Sequence, residues 1–144
     1  MTQRTIRMII DGQELVTAAA ATTVSEAACL MKQRHVGAIM VVEDAKLVGV
    51  FTERDALFRV VAEGRDGRTT KLAEVMTPNP QTIHPDKPFA VALEMMHNGR
   101  FRNVPVVEDG RLIGVVSVHD ALGPELEAFV YELLRQEQIG DVLA

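Results

Sequence analysis

The sequence predicts an α/β protein of two pseudo-symmetric β-α-β-β-α repeats packed through their sheets, with an extra C-terminal helix. Three observations carry that reading. The first is a repeat: the segment from Val41 to Leu57 reappears, ungapped, from Val106 to Leu122. Glycines 49 and 114 and aspartates 55 and 120 are each 65 residues apart, and the offset extends back through Met31/Met96, Ala27/Ala92 and Thr17/Thr82. Substitutions between the copies keep their chemistry, as in Lys46/Arg111, Val48/Ile113 and Thr52/Ser117. The second is that helical spacing of apolar residues gives way to two β-rich runs within each copy. The third is size. A chain of 144 residues, 47% hydrophobic and 24% charged, can bury a core, whereas half of it buries too little to stand comfortably alone.

Residues 1–62 hold an N-terminal segment and the first repeat. A short strand over 15–18 leads to a helix, where Thr23 followed by Glu26 is a capping-box signature. Val24, Ala27, Ala28 and Met31 then recur at helical spacing, and Cys29 among them reads as a small buried hydrophobe. Strands over 38–43 and 47–52 flank Asp44-Ala45, and a helix follows Thr52. Residues 63–80 form a linker between Gly64-Arg65-Asp66-Gly67-Arg68 and Thr77-Pro78-Asn79-Pro80, with a helical piece at 72–76. The second repeat, 81–123, has a strand over 81–83 and a helix from Pro88 with Phe89, Ala92, Leu93 and Met96 on one face. Its hairpin turns at Asp109-Gly110, a strong turn signal, and a helix follows Ser117. Residues 124–144 form an amphipathic helix and tail, with Leu126, Phe129, Val130, Leu133 and Leu134 opposite Glu125, Glu127, Arg135 and Glu137. That stripe either folds back on its own repeat or joins the repeat helices in a homodimer, and a homodimer is expected.

Several functions are disfavoured. The net charge of -5 argues against non-specific nucleic-acid binding. No apolar run approaches the ~20 residues that cross a bilayer, and the first residues lack a signal-peptide pattern. A single cysteine cannot form an internal disulfide, so a soluble cytoplasmic protein is expected. Dinucleotide, phosphate-loop and zinc-protease motifs do not occur, and the four histidines and Cys29 lack zinc spacing. Ser117, His119 and Asp120 resemble a triad in composition only, lying too close along one corner. No enzyme is expected.

What recurs is a glycine, two apolar residues, a hydroxyl residue and, three positions on, an aspartate: Gly49 to Asp55 and Gly114 to Asp120. One reading is a helix cap, in which Thr52 or Ser117 and the following acid satisfy free amides. The other is a nucleotide site, the helix start taking phosphate and the carboxylate both ribose hydroxyls. Arg54 and His119 lie inside the motif, where a cation would meet an anion. Gly37-Ala38 is either a turn or an uncrowded edge for a planar base, and the second copy has Arg102-Asn103 there.

With these residues in view, the sequence resembles a pair of CBS domains, a Bateman module, from about Leu15 to Leu122. The most specific pieces are 47–55, Arg102-Asn103-Val104-Pro105-Val106-Val107 and 112–120. The resemblance implies a regulatory module binding an adenine nucleotide (AMP, ADP, ATP or an NAD-type ligand) between the repeats, with no cofactor required and a protein target that listens. It implies ribose contacts at Asp55 and Asp120, phosphate or hydroxyl contacts at Thr52 and Ser117, and base contacts from backbone near Thr17, Ala38, Thr82 and Pro105. Gly37 lacks the side chain that Arg102 offers, and Val118-His119 replaces Glu53-Arg54, so unequal clefts are expected. The alternative is a structural or interaction protein that kept the fold without a ligand.

Overall fold

The computed structural model describes residues 4–123, 129 and 131–137, and it begins with a helix that the apolar pattern does not announce. Thr5 caps α1 (Ile6–Ile10) by accepting from the Met8 amide. The first repeat comprises β1 (Thr17–Ala18), α2 (Val24–Arg34), β2 (Ala38–Glu43), β3 (Lys46–Thr52) and α3 (Glu53–Asp55), which runs into a π-helical turn over Ala56–Val61. Next come α4 (Leu72–Val75) and β4 (Thr77–Pro78). The second repeat comprises α5 (Phe89–Gly99), β5 (Asn103–Glu108), β6 (Arg111–Ser117) and a 3-10 turn, Val118–Leu122. A C-terminal helix is present: Phe129 and residues 131–137 are helical and exposed, while Leu126, Val130, Glu125 and Glu127 of the expected amphipathic pattern lie outside the described residues.

Local chemistry explains these elements. Thr23 caps α2 by accepting from the Glu26 amide at 3.2 Å. The helices α2 and α5 stop at His35 and Arg100, both left-handed at φ 55 and 57. Asp44-Ala45 and Asp109-Gly110 have positive φ at both positions, as tight hairpins demand.

The two copies depart from symmetry for identifiable reasons. The sheet of the first repeat runs β1-β2-β3-β4, with β1 parallel to β2 and the other pairs antiparallel. In the second repeat β5 pairs only with β6, and the strand expected over 81–83 shrinks to one parallel bridge, Ile83 to Val106. The Met40 amide donates to Val16 O at 3.1 Å; its counterpart, Pro105, has no N–H to donate. The helix expected after Ser117 is likewise reduced to a 3-10 turn, which ends at Gly123. Two positions on α2 differ from expectation: Cys29 is exposed on the side away from Val24, Ala27 and Met31, and Ala28, which flanks that face, is exposed as well.

Each repeat has its own core, completed by a short helix from outside it. Leu72 and Val75 of α4 enter the first core with Ile39, Val41 and Phe51. Ile6 and Ile10 of α1 enter the second, with Phe89, Val104, Val106 and Val116. The docking bonds repeat the symmetry: Leu72 N donates to Thr22 O at 2.9 Å, and Ile6 N to Lys87 O at 3.0 Å. Val24 N donates to Thr70 O at 2.9 Å, and Phe89 N to Arg4 O at 2.8 Å. The motif glycines make room for these helices: a Cβ at Gly114 would lie 2.8 Å from Ile10, and one at Gly49 would run into Met76. The sheets pack where β3 and β6 approach each other.

Candidate functional site

A cleft of about 940 Å³ opens between the repeats, within the size range of small-molecule sites. Its first wall comes from α2, β2 and the end of β3, through Met31, Lys32, His35, Gly37, Ala38, Phe51 and Glu53. Its second wall comes from the strand-to-turn corner of the other repeat, through Asn103, Ser117, His119 and Asp120. Gln13 and Glu14 reach its rim; Glu14 pairs with Arg34, and the Gln13 amide both donates to Val115 O and accepts from Val115 N, each at 2.8 Å. The side-chain amide of Gln13 thereby extends the open edge of β6.

Of the residues the sequence singled out, six line this cleft: Gly37, Ala38, Asn103, Ser117, His119 and Asp120. Seven do not. Thr17 is exposed on β1, beside the lining residue Val16. Thr52 and Asp55 form a closed capping box, with Asp55 N donating to Thr52 Oγ1 at 3.1 Å and Thr52 N donating to Asp55 Oδ2 at 3.0 Å. The Arg54 guanidinium stacks over the Phe58 ring, 5.5 Å from its centre. Thr82 and Arg102 are exposed, and Pro105 is buried in β5.

The corner at Ser117 is not arranged as a triad. Asp120 Oδ2 accepts from the Ser117 amide at 2.7 Å, so its carboxylate serves the backbone, and His119 is exposed. Lining residues that sequence reasoning did not select include Lys32, His35 and Glu53. A signal for Glu53 existed in a paired departure from the repeat. Its carboxylate lies against Gly37, where an added Cβ would sit 3.1 Å from Oε1, and Glu53 N donates to Gly37 O at 3.0 Å. In the other copy Val118 N donates to Arg102 O at the same distance, and with no carboxylate at 118 a side chain fits at 102.

Away from the cleft, ligand atoms of His84, Asp86 and Glu108 lie within 4.8 Å of one another, close enough for a metal. Arg7 occupies that position instead, its Nε 3.0 Å from Asp86 Oδ1 and its terminal nitrogens on Glu108. The guanidinium holds both carboxyls below their usual range, and the two carboxylates raise Arg7 in return.

Two sheet-and-helix repeats, each lending a wall to one cleft, define a tandem-repeat module. The family model for the CBS domain matches twice, over residues 10–62 and 72–123, and the chain belongs to the CBS domain family. It is 38% identical over 107 residues to the CBS domain-containing protein YhcV of Bacillus subtilis, covering 74% of this chain and 76% of that protein. A mitochondrial CBS domain-containing protein of Arabidopsis thaliana, CBSX3, is 35% identical over 118 residues, 78% of this chain, which spans 57% of its length. Among solved structures, a signal-transduction protein with CBS domains from Burkholderia ambifaria superposes with TM-score 0.78 at 30% identity, covering 81% of this chain and 90% of that one. A CBS domain protein of Pyrobaculum aerophilum complexed with AMP superposes with TM-score 0.77 at 26% identity, covering 92% and 99%. The CBS domain pair of protein MJ0100, in complex with 5'-methylthioadenosine and S-adenosyl-L-methionine, gives 0.74 at 26%, covering 83% and 94%. Among the described residues, no helix is long and apolar enough to cross a membrane.

Proposed function

We propose that the chain is a regulatory, ligand-sensing module rather than a catalyst, and that its cleft takes an adenine nucleotide: AMP, ADP, ATP or an NAD-type ligand. One observation carries this reading. A hydroxyl and a carboxylate (Ser117, Asp120), three basic side chains (Lys32, His35, His119) and the backbone at Gly37-Ala38, with Glu53 packed against Gly37, converge on one cleft between the repeats. Asp120 would accept ribose hydroxyls, the basic groups would meet phosphate, and the half-buried apolar side chains of Val16, Val36 and Val115 would take the base. The AMP and adenosyl ligands of the two solved relatives support that class of ligand. Binding across both repeats favours one arrangement of the halves, which a protein target in the cytoplasm reads as a population shift. Exposed Leu57, Phe58 and Val61, with Phe129, Leu133 and Leu134, support a homodimer. A monomeric mass by light scattering at micromolar concentration would remove that part of the reading.

The competing reading, a CBS fold without a ligand, draws on the capping bonds, which by themselves give Asp55 and Asp120 a structural reason to exist. Thermal scans of ligand-free protein against AMP, ADP, ATP, NAD and S-adenosylmethionine separate the two. A ligand at ~100 times its dissociation constant stabilises by about 2.7 kcal/mol, a shift of several degrees for a chain of this size. Asp120→Asn should then weaken binding about tenfold or more, since a hydrogen bond to a charged group contributes roughly 1.5–3 kcal/mol. No shift with any of the five ligands rejects the nucleotide reading in favour of the structural one.

A further inference from the structure

Asp55 and Asp120 hold the same place in the two repeats, and one cation distinguishes their surroundings. Each gives its Oδ2 to the amide of its own capping residue, Thr52 at 3.0 Å and Ser117 at 2.7 Å. The second oxygen of Asp55 is 3.5 Å from Arg59 Nε. The position equivalent to Arg59 in the other repeat is Pro124, and Asp120 Oδ1 has no hydrogen-bond partner among the described residues. Asp55 is accordingly buried, whereas Asp120 lines the cleft.

Arg59 has a second attachment. Its Nη1 donates to Val75 O at 3.3 Å and to Met76 O at 3.0 Å, at the end of α4, where carbonyls lack helical partners and a cation is favoured. The backbone that carries it is a π-turn, with Ala62 N donating to Leu57 O and Arg65 N to Val60 O, each at 2.9 Å. Such wide turns are rare and gather at functional sites. The side chain is also displaceable. It is 49% exposed and borders a groove of about 270 Å³ that Glu63 also lines, and its 3.5 Å approach to the buried Asp55 carboxylate is longer than the ~2.7–2.9 Å of a charge-assisted hydrogen bond.

We propose that Arg59 is a latch that sets the inequality of the two carboxylates. With Arg59 on Asp55, the Asp120 side is the one of the two that, among the described residues, offers an unpaired carboxylate oxygen to a diol. A ligand reaches Asp55 only when Arg59 swings away, and that swing releases the Val75 and Met76 carbonyls, loosening the linker between the repeats. The inference rests on the nucleotide reading above and makes Arg59 a positioning residue.

Calorimetry with AMP on the ligand-free full chain tests it. Wild type should bind one AMP per chain, lost in Asp120→Ala. Arg59→Gln should gain a second site, at least about tenfold tighter than any second event in wild type and lost again when Asp55→Asn is added. Amide exchange over 76–79 should quicken in Arg59→Gln without AMP. Arg59→Met, which keeps the apolar stem, replaces the Gln variant if circular dichroism shows that variant unfolded. A wild-type second site that depends on Asp55, or an Arg59→Gln chain that still binds one AMP with unchanged exchange, overturns the latch while leaving the nucleotide reading intact. Failure of wild type to bind at all, with an Asp55-dependent site appearing in Arg59→Gln, overturns the Asp120 site but upholds the latch. No binding in any of these variants overturns both.

Discussion

Ala45 and Gly110 sit at the same corner of the two hairpins, at φ 64 and 77. Neither the first corner nor the second needs the residue for space, since a Cβ added at Gly110 would meet nothing within 4 Å. The difference between them is conformational alone. A non-glycine residue in left-handed backbone costs roughly 1–2 kcal/mol, partly offset because glycine loses more freedom on folding. Ala45→Gly should therefore stabilise the protein by about 0.5–1 kcal/mol and Gly110→Ala destabilise it by about the same, both read from urea unfolding. Equal and opposite signs are the point of the test; a loss in both would mean that the corners differ in more than φ. This corner was legible from the sequence because Asp-Gly and Asp-Ala at the same offset between β-rich runs leave little choice. The Glu53–Gly37 contact was not, because it joins residues 16 apart whose meaning appears only when both differ together from their copies.

At the scale of elements, the long pieces were legible: β2, β3, β5 and β6 lie where the β-rich runs put them, and α2 and α5 where helical spacing does, with Ala28 the exception on the α2 face. Short elements escaped it. A five-residue helix such as α1 has room for only two inward positions, Ile6 and Ile10, too few to show a period. The strand over 81–83 failed through a missing donor, Pro105, that sits on the facing strand and not in the segment itself. The segment that includes α1 is fastened by charge as well as by apolar contact, through Arg7 on Asp86 and Glu108. Since the folded pKa values of both carboxyls are depressed, this contribution is fully present above the ordinary carboxylate range and fades as pH falls below about 4. Wild type should lose more stability than Arg7→Gln between about pH 5 and pH 3, by denaturant titration at each pH, and ~1 M salt should narrow the gap because the groups are exposed. Parallel pH curves for the two proteins would show that the cluster contributes nothing to docking.

For the whole molecule, the consequence of the exchanged helices is that neither repeat is self-sufficient. Ile6 precedes the first family match in sequence, yet it is fully buried in the second core; Leu72, where the second match begins, is fully buried in the first. Each loses roughly 2–5 kcal/mol when cut to alanine, a large share of the ~5–15 kcal/mol that holds a small protein together. The cost should fall on different halves. Ile6→Ala weakens the core under β5 and β6 and, through Arg4, whose guanidinium donates to Asp120 O at 2.9 Å, the corner that lines the cleft. Leu72→Ala weakens the core under β2 and β3. Native-state hydrogen exchange reads this directly: in Ile6→Ala the amides of β5 and β6 should speed up first, and in Leu72→Ala those of β2 and β3. Such a split means the halves open separately, so a ligand bridging them has two semi-independent bodies to bring together, as a population-shift sensor requires. If either substitution instead accelerates exchange equally over all four strands, the repeats open as one cooperative unit. Signalling by their relative arrangement would then have no structural basis in this chain.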